Sequence, residues 1–364
     1  MLGLAAVGCF PVPDPPWLVG ERAELLSVRI DVIEEGPLST VVAPVPADRR
    51  RTDALPGDTI AFRPWVTDRE RVWPEGELDV AYFACLGSSC LDALRAPGGT
   101  SSCSDLLQLA QRACALGRGP DARFVVPTAG EAITALDYTS IFAIAGEPGV
   151  IDTDTCIDAF RDWPGGQIDH CMLHERRVGI GPQWVLTLLL VGLDGDDDTT
   201  GGDTTGEDTT GGDDDTTGGD NPFAPPPEVF LEWPNFNPEV ERFTVAIDRR
   251  GEVRMFDHVP GDRIAVRPGD DVRVTHERDP RDAQSFVTND MAIDGTYRRN
   301  AEALSEQWYA THPLAPFTDL PGVPTVGFEV PHDVATFRVD VRLTDLDNGY
   351  GWGSLYFEVD GATP

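Results

Sequence analysis

Alternation of apolar and polar positions at a two-residue period recurs along this chain. In LLSVRIDVI (25–33), Leu26, Val28, Ile30 and Val32 point to one face, while Ser27, Arg29 and Asp31 point to the other. That is the pattern of a strand with one buried side. LPGDTIAFRPWV (55–66) reads as a Pro56-Gly57 turn feeding a second strand. LDVAYFAC (78–85) gives a third, with Leu78, Val80 and Tyr82 on one side. Near the end, TFRVDVRLTDLDNGYGWGSLYFEV (336–359) alternates through Phe337, Val339, Val341 and Leu343. It turns at Asn348-Gly349 and alternates back through Leu355, Phe357 and Val359, a hairpin signature.

One stretch breaks the period. In SDLLQLAQRACALG (104–117), Leu106, Leu109, Ala110 and Ala113 fall at helical spacing, with Ser104 as a cap and Gly117 as a stop. The most apolar run, WVLTLLLVGL (184–193), is half as long as the ~20 residues a membrane-spanning helix requires, and reads as a closing strand.

Strands at this spacing predict a mainly β chain of two Ig-like sandwiches, residues 17–193 and 228–364, the first with a small disulfide-stapled helical insertion. Phrases recur between them. RPGDDVRV (267–274) echoes LPGDTIAF (55–62), and WYAT (308–311) echoes YFAC (82–85), at offsets that differ by a loop-sized insertion, as duplicated domains would show.

Residues 194–227 separate the two and open with a tract of Asp, Thr and Gly. Asp196, Asp198, Thr200, Gly201 and Glu207 match positions one, three, five, six and twelve of an EF-hand loop. Against a calcium site, Thr200 replaces the usual acid or amide, Asp203 replaces an apolar side chain, and no helix pattern flanks the loop. A calcium β-roll needs an apolar residue in each turn, and none lies between Asp194 and Asn221. Without apolar residues the tract cannot offset its ordering entropy, so it reads as a disordered spacer with a root-mean-square span of about 30 Å.

Charge narrows the partners. All 28 basic residues are Arg, and the net charge is −34; setting aside the eleven acids from Asp194 to Asp220 still leaves −23. The absence of Lys excludes P-loop and Schiff-base chemistry, and the negative field disfavours nucleic acid. MLGLAAVGCF places Cys9 after a short apolar run with small residues, in the manner of a lipoprotein signal. Residues 1–16 are thus expected to be a signal remnant and Pro-rich tether, with Cys9 lipidated. The other cysteines, Cys85, Cys90, Cys103, Cys114, Cys156 and Cys171, form an even set suited to three disulfides in an oxidising compartment. Locality pairs Cys156 with Cys171 and leaves the other pairings open. A zinc site at His170, Cys171 and His174 lacks a C-x-x-C element and is the weaker reading.

Catalytic signatures are missing from the sequence: there is no G-x-S-x-G, no H-E-x-x-H and no complete G-x-G-x-x-G. His258, His276, His312 and His332 are scattered. Asp345, Asp347 and Asn348 offer calcium ligands at the hairpin tip, although a polar turn accounts for them. Tyr350 and Trp352 beside that tip are the one binding-like feature. No cofactor or metal is expected.

Pro268-Gly269-Asp270 before a strand, Trp308-Tyr309-Ala310-Thr311 as a central strand and the closing Asp- and Gly-rich hairpin resemble predicted surface lipoproteins of myxobacteria carrying tandem Ig-like domains. The resemblance implies a fold and an envelope location, with no activity or site residues. Together these readings point to a non-catalytic lipoprotein, exported and lipid-anchored at the outer membrane, that displays Ig-like domains to a protein or glycan at the cell surface. The alternative is an accessory or catalytic subunit acting on envelope or extracellular polymers through an acidic cleft between domains.

Overall fold

The computed structural model describes residues 16–86, 94, 101–102, 113–126, 139–162, 168–179, 235–282, 285–289, 297–301, 303–319, 324–345 and 349–361. Cys9, Cys90, Cys103, Asp347, Asn348, the acidic tract and the 184–193 run lie outside them.

The alternating segments form strands. The N-terminal half contains β1 (Glu24–Glu34), β2 (Thr59–Thr67), β3 (Val80–Leu86), β4 (Ser101–Ser102), β5 (Cys114–Arg118), β6 (Arg123–Val125), β7 (Thr139–Gly146), α1 (Thr153–Arg161) and β8 (Cys171–Arg177). Its sheets run β1-β2-β6 and β4-β5-β3-β7-β8. One buried cluster draws Val28, Ile30 and Phe62 from the first sheet and Val80, Tyr82 and Ala143 from the second. The rings of Phe62 and Tyr82 stack at 4.8 Å across it.

The C-terminal half contains β9 (Val240–Arg249), β10 (Glu252–His258), β11 (Arg263–Val266), β12 (Asp271–Arg278), β13 (Ser285–Asn289), β14 (Tyr297–Ala301), β15 (Ser305–Ala310), β16 (Ala315–Asp319), β17 (Thr325–Glu329), β18 (Thr336–Thr344) and β19 (Tyr350–Val359). Sheets β10-β9-β12-β17-β16 and β11-β19-β18-β15 enclose a second cluster, while β13 and β14 pair with each other. The closing hairpin has the expected inward set: Phe337, Val339, Val341, Leu343, Leu355, Phe357 and Val359 are all buried. Phe328 meets Phe337 and Phe357 edge-on, and those two stack at 4.9 Å.

The Pro-Gly-Asp turn noted twice in the sequence occurs a third time, at Val259-Pro260-Gly261-Asp262. Gly57, Gly261 and Gly269 have φ of 89°, 97° and 76°, values that favour glycine. Asp58, Asp262 and Asp270 each cap their own turn, accepting the N–H of Leu55 (2.6 Å), Val259 (3.1 Å) and Arg267 (2.9 Å) on a carboxylate oxygen. Each turn also clasps a neighbouring segment. The glycine N–H donates to the carbonyl of Val126, Ser354 or Val330, and the aspartate carbonyl accepts from Val126, Tyr356 or Val330.

Several expectations need correction. The helix proposed for 104–117 does not reach Gly117, because Cys114–Arg118 is β5, paired with β3. The tertiary pairing overrides the local period. The helix among the described residues that carries a disulfide is α1. Asp152 caps it by accepting Thr155 N–H at 2.8 Å, and Thr153, Cys156, Ile157 and Phe160 are buried. The strand containing Trp308, β15, stands at the end of its sheet's strand order and not in the centre, whereas β3 is central in its own. Finally, the polar face of β1 is not solvated. Ser27 and Asp31 are fully buried, because the C-terminal half packs on that face.

Candidate functional site

That packing defines the junction between the halves. Around Ser27 a β-bulge puts Leu25 in the N-terminal core and leaves Leu26 against Trp65, on the other side of the sheet. There Val19, Trp65 and Tyr309 are buried together with Trp352 beside them. Two segments cross over. Trp17–Val19 leaves the N-terminal half to bond Ala310 in both directions at 2.9 Å, and Trp17 stacks on Phe317. In the other direction, Asn235 accepts Thr52 N–H at 2.9 Å, and Asn237 donates to Ile30 O and Asp31 Oδ1 at 2.8 Å. Asn237 Oδ1 accepts Tyr350 N–H at 2.9 Å. Gly351 permits this approach, since a Cβ there would lie 2.0 Å from Pro238 O.

Arginines supply the remaining contacts, as suits a chain without lysine: the planar guanidinium pairs in fixed directions when buried. Arg338, nearly fully buried, holds Asp340 through Nε at 2.9 Å and donates across the junction to Thr67 Oγ1 and to Asp68 O, the latter at 2.9 Å. Arg342 donates to Leu26 O at 2.8 Å. Arg176 donates to Val28 O and lies over the Tyr350 ring at 4.3 Å; burial lowers its pKa to about 10. Burial, with Arg176 and Arg342 nearby, pushes His174 down to about 4, so its imidazole is neutral at pH 7. Arg49 reaches across to Glu239 at 2.7 Å, Asp279 at 2.9 Å and Asp282 at 3.4 Å. Arg281 holds Asp279 well below the usual carboxylate range, while burial raises Asp282 to about 6.

Beside the junction opens a groove of about 680 Å³, with Glu21, Arg69 and Glu70 on one bank and Arg263, Thr311, Thr336, Tyr356 and Glu358 on the other. Two of its three acids have basic partners: Glu21 lies 3.4 Å from Arg69, and Glu358 lies 2.9 Å from Arg263. The Arg263 guanidinium sits 6.0 Å from the Tyr356 ring centre. The groove therefore offers exposed hydrogen-bond donors and acceptors of both signs beside one aromatic face.

The residues singled out in the sequence fall in other places. Tyr350 and Trp352 do not stand free at a tip; both are half-buried in the junction, and Trp352 stacks on Trp65. Asp345 is buried, accepting Gly349 N–H and lying 3.4 Å from Asn235 Nδ2. Cys156 and Cys171 form the expected disulfide, S–S 2.03 Å, which occupies the thiol that the zinc reading needed. Cys85 and Cys114 are also disulfide-bonded. Among the described residues no group of three His, Cys, Asp or Glu is arranged to hold a metal ion. The groove and the Asn235–Asn237 clasp were missed. An Asn-Phe-Asn between Pro234 and Pro238 was the available signal for the clasp, whereas the groove draws single residues from distant segments.

No family model and no curated protein matches the chain. Among solved structures, the crystal structure of dimeric latent PorU from Porphyromonas gingivalis aligns over 94% of this chain and 24% of that one, at 13% identity. Its TM-score of 0.19 is too low to carry an argument.

Proposed function

We propose that this chain is a non-catalytic envelope module: two Ig-like sandwiches locked into one unit, tethered through a lipidated Cys9, that binds a protein or glycan partner in the groove beside their junction. The observation that carries this reading is the groove's make-up. Two of its three carboxylates, Glu21 and Glu358, are matched by arginines on their own bank, and it adds an aromatic face. Such a surface suits recognition of a polar extended ligand by many hydrogen bonds. The junction supports it, because banks fixed relative to each other present the groove without an ordering cost on binding.

The test is capture from labelled cell envelopes by the full chain, compared with Arg263→Ala and Tyr356→Ala. Arg263 is exposed and Tyr356 half-buried, and each substitution should leave the chain folded while reducing capture severalfold. Capture unaffected by both would remove the groove from the function. Equal partitioning of the intact chain and Cys9→Ala into detergent would remove the anchor.

A further inference from the structure

β10 is an edge strand with apolar side chains on both faces. Of its seven residues, six are exposed and one is half-buried; Val253 is 58%, Met255 67% and Phe256 45% exposed. Val259, which follows it, is 55% exposed. It pairs with β9 on one side and, among the described residues, with nothing on the other. Its hairpin partner lies across a two-residue loop, Arg250-Gly251, with φ of 57° and 86°. In such a hairpin the flanking pair, Arg249 and Glu252, is mutually hydrogen-bonded. The alternation that follows turns the N–H and C=O groups of Val253, Met255 and Asp257 outward. An edge of this kind is a template for another strand.

We propose that the occupant is β10 of a second copy, forming an antiparallel twofold pair centred on Met255. A twofold axis normal to the sheet requires one residue to face itself, which leaves few registers. Centring on Arg254 opposes two guanidinium groups, and centring on Asp257 opposes two carboxylates. Centring on Val253 overlaps only three residues of the strand, and centring on Phe256 sets Arg254 against the other copy's His258. Centring on Met255 overlaps all seven. It places Glu252 opposite His258 and Arg254 opposite Phe256, a carboxylate–imidazole pair and a cation–π pair, each formed twice. Val253 faces Asp257, and the two Met255 side chains meet at the axis. The result is a continuous ten-stranded sheet. This inference is independent of the groove, which lies at the other sheet's β11 and β19. The net charge of −34 opposes association at long range, so the dimer should tighten as salt screens it.

Sedimentation of the full chain tests this. A monomer–dimer equilibrium is expected, with affinity rising from low to physiological salt. Met255→Lys sets two ammonium groups at the axis and should weaken the dimer by about tenfold or more, with an unchanged melting curve at dilutions where the chain is monomeric. Register is tested by mixing Glu252→Cys with His258→Cys: a cross-linked dimer should appear in the mixture and not with either variant alone. A wild-type chain that stays monomeric at high concentration would overturn the proposal. So would a dimer insensitive to Met255→Lys, a cross-link pattern of another register, or an envelope protein captured through β10 by a monomeric chain.

Discussion

The indole of Trp65, on β2, lies flat against that of Trp352, on β19: their ring centres are 5.6 Å apart and their planes 2° from parallel. Tyr309 meets Trp65 edge-on at 5.8 Å. Three aromatic rings from strands far apart in sequence thus close the junction, where the sequence alone suggested two bodies held apart by an acidic spacer. Stacked and edge-on pairs contribute beyond the area they bury.

Trp352→Ala should therefore loosen the junction while sparing both cores. A loss of about 2 kcal/mol is expected from the removed ring and its stacking. Calorimetry should show a lower melting temperature or two separated transitions, and the circular-dichroism signal of a coupled indole pair should vanish. An unchanged melt would mean that the stack does not couple the halves.

Arg338 carries a sharper expectation. Asp340 is fully buried beside it, and burial raises that carboxyl's pKa against the pull of the guanidinium. Arg338→Met strands the carboxylate and removes the bonds to Thr67 and Asp68, for a cost of about 3–5 kcal/mol. Adding Asp340→Leu should recover most of the loss, because the uncompensated charge is then gone. Denaturant titration of the single and double variants decides it; equal stability of the two would mean that the stranded charge is not the cause.

Reduction of Cys156–Cys171 opens a loop spanning a sequence separation of 15, which a chain-entropy account values at about 3 kcal/mol. Cys156→Ala/Cys171→Ala should lower the stability of the N-terminal half by a comparable amount. Hydrogen exchange should report the change first in α1 and β8, with the C-terminal sheets unaffected at low denaturant.

Asp282 sets a pH dependence. Its carboxyl, pushed up by burial, keeps its proton to about pH 6 in the fold, while the unfolded chain releases it near 3.8. The fold thus binds more protons between those values, and this group's contribution to stability falls as pH rises through that window. Asp282→Asn cannot ionise, and Arg49 retains Asp279 and Glu239. The variant should gain stability relative to the parent as pH rises from about 4 to about 7. Parallel stability curves across that window would assign the burial cost to another group.

The alternating stretches were legible in the sequence because a strand's side-chain period is a local property. The inward residues of the closing hairpin, the Pro-Gly-Asp turns and the Cys156–Cys171 pair all follow from neighbours along the chain. So does α1 in retrospect: Asp152 with Thr155 is a capping signal, and Ile157 and Phe160 lie on one helical face. What the sequence left undetermined was the use of the polar faces. Ser27, Arg29 and Asp31 carry the pattern of a solvated side, yet that side is buried, because from more than 200 residues away Asn237 donates to Asp31 and Glu239 accepts from Arg29. A polar residue that is hydrogen-bonded to water and one that is hydrogen-bonded to a distant segment look the same in one dimension. Only the packing of the two halves decides between them, and the groove exists only once that packing is made, whereas the edge position of β10 is set by the strand order within the C-terminal half's own sheet.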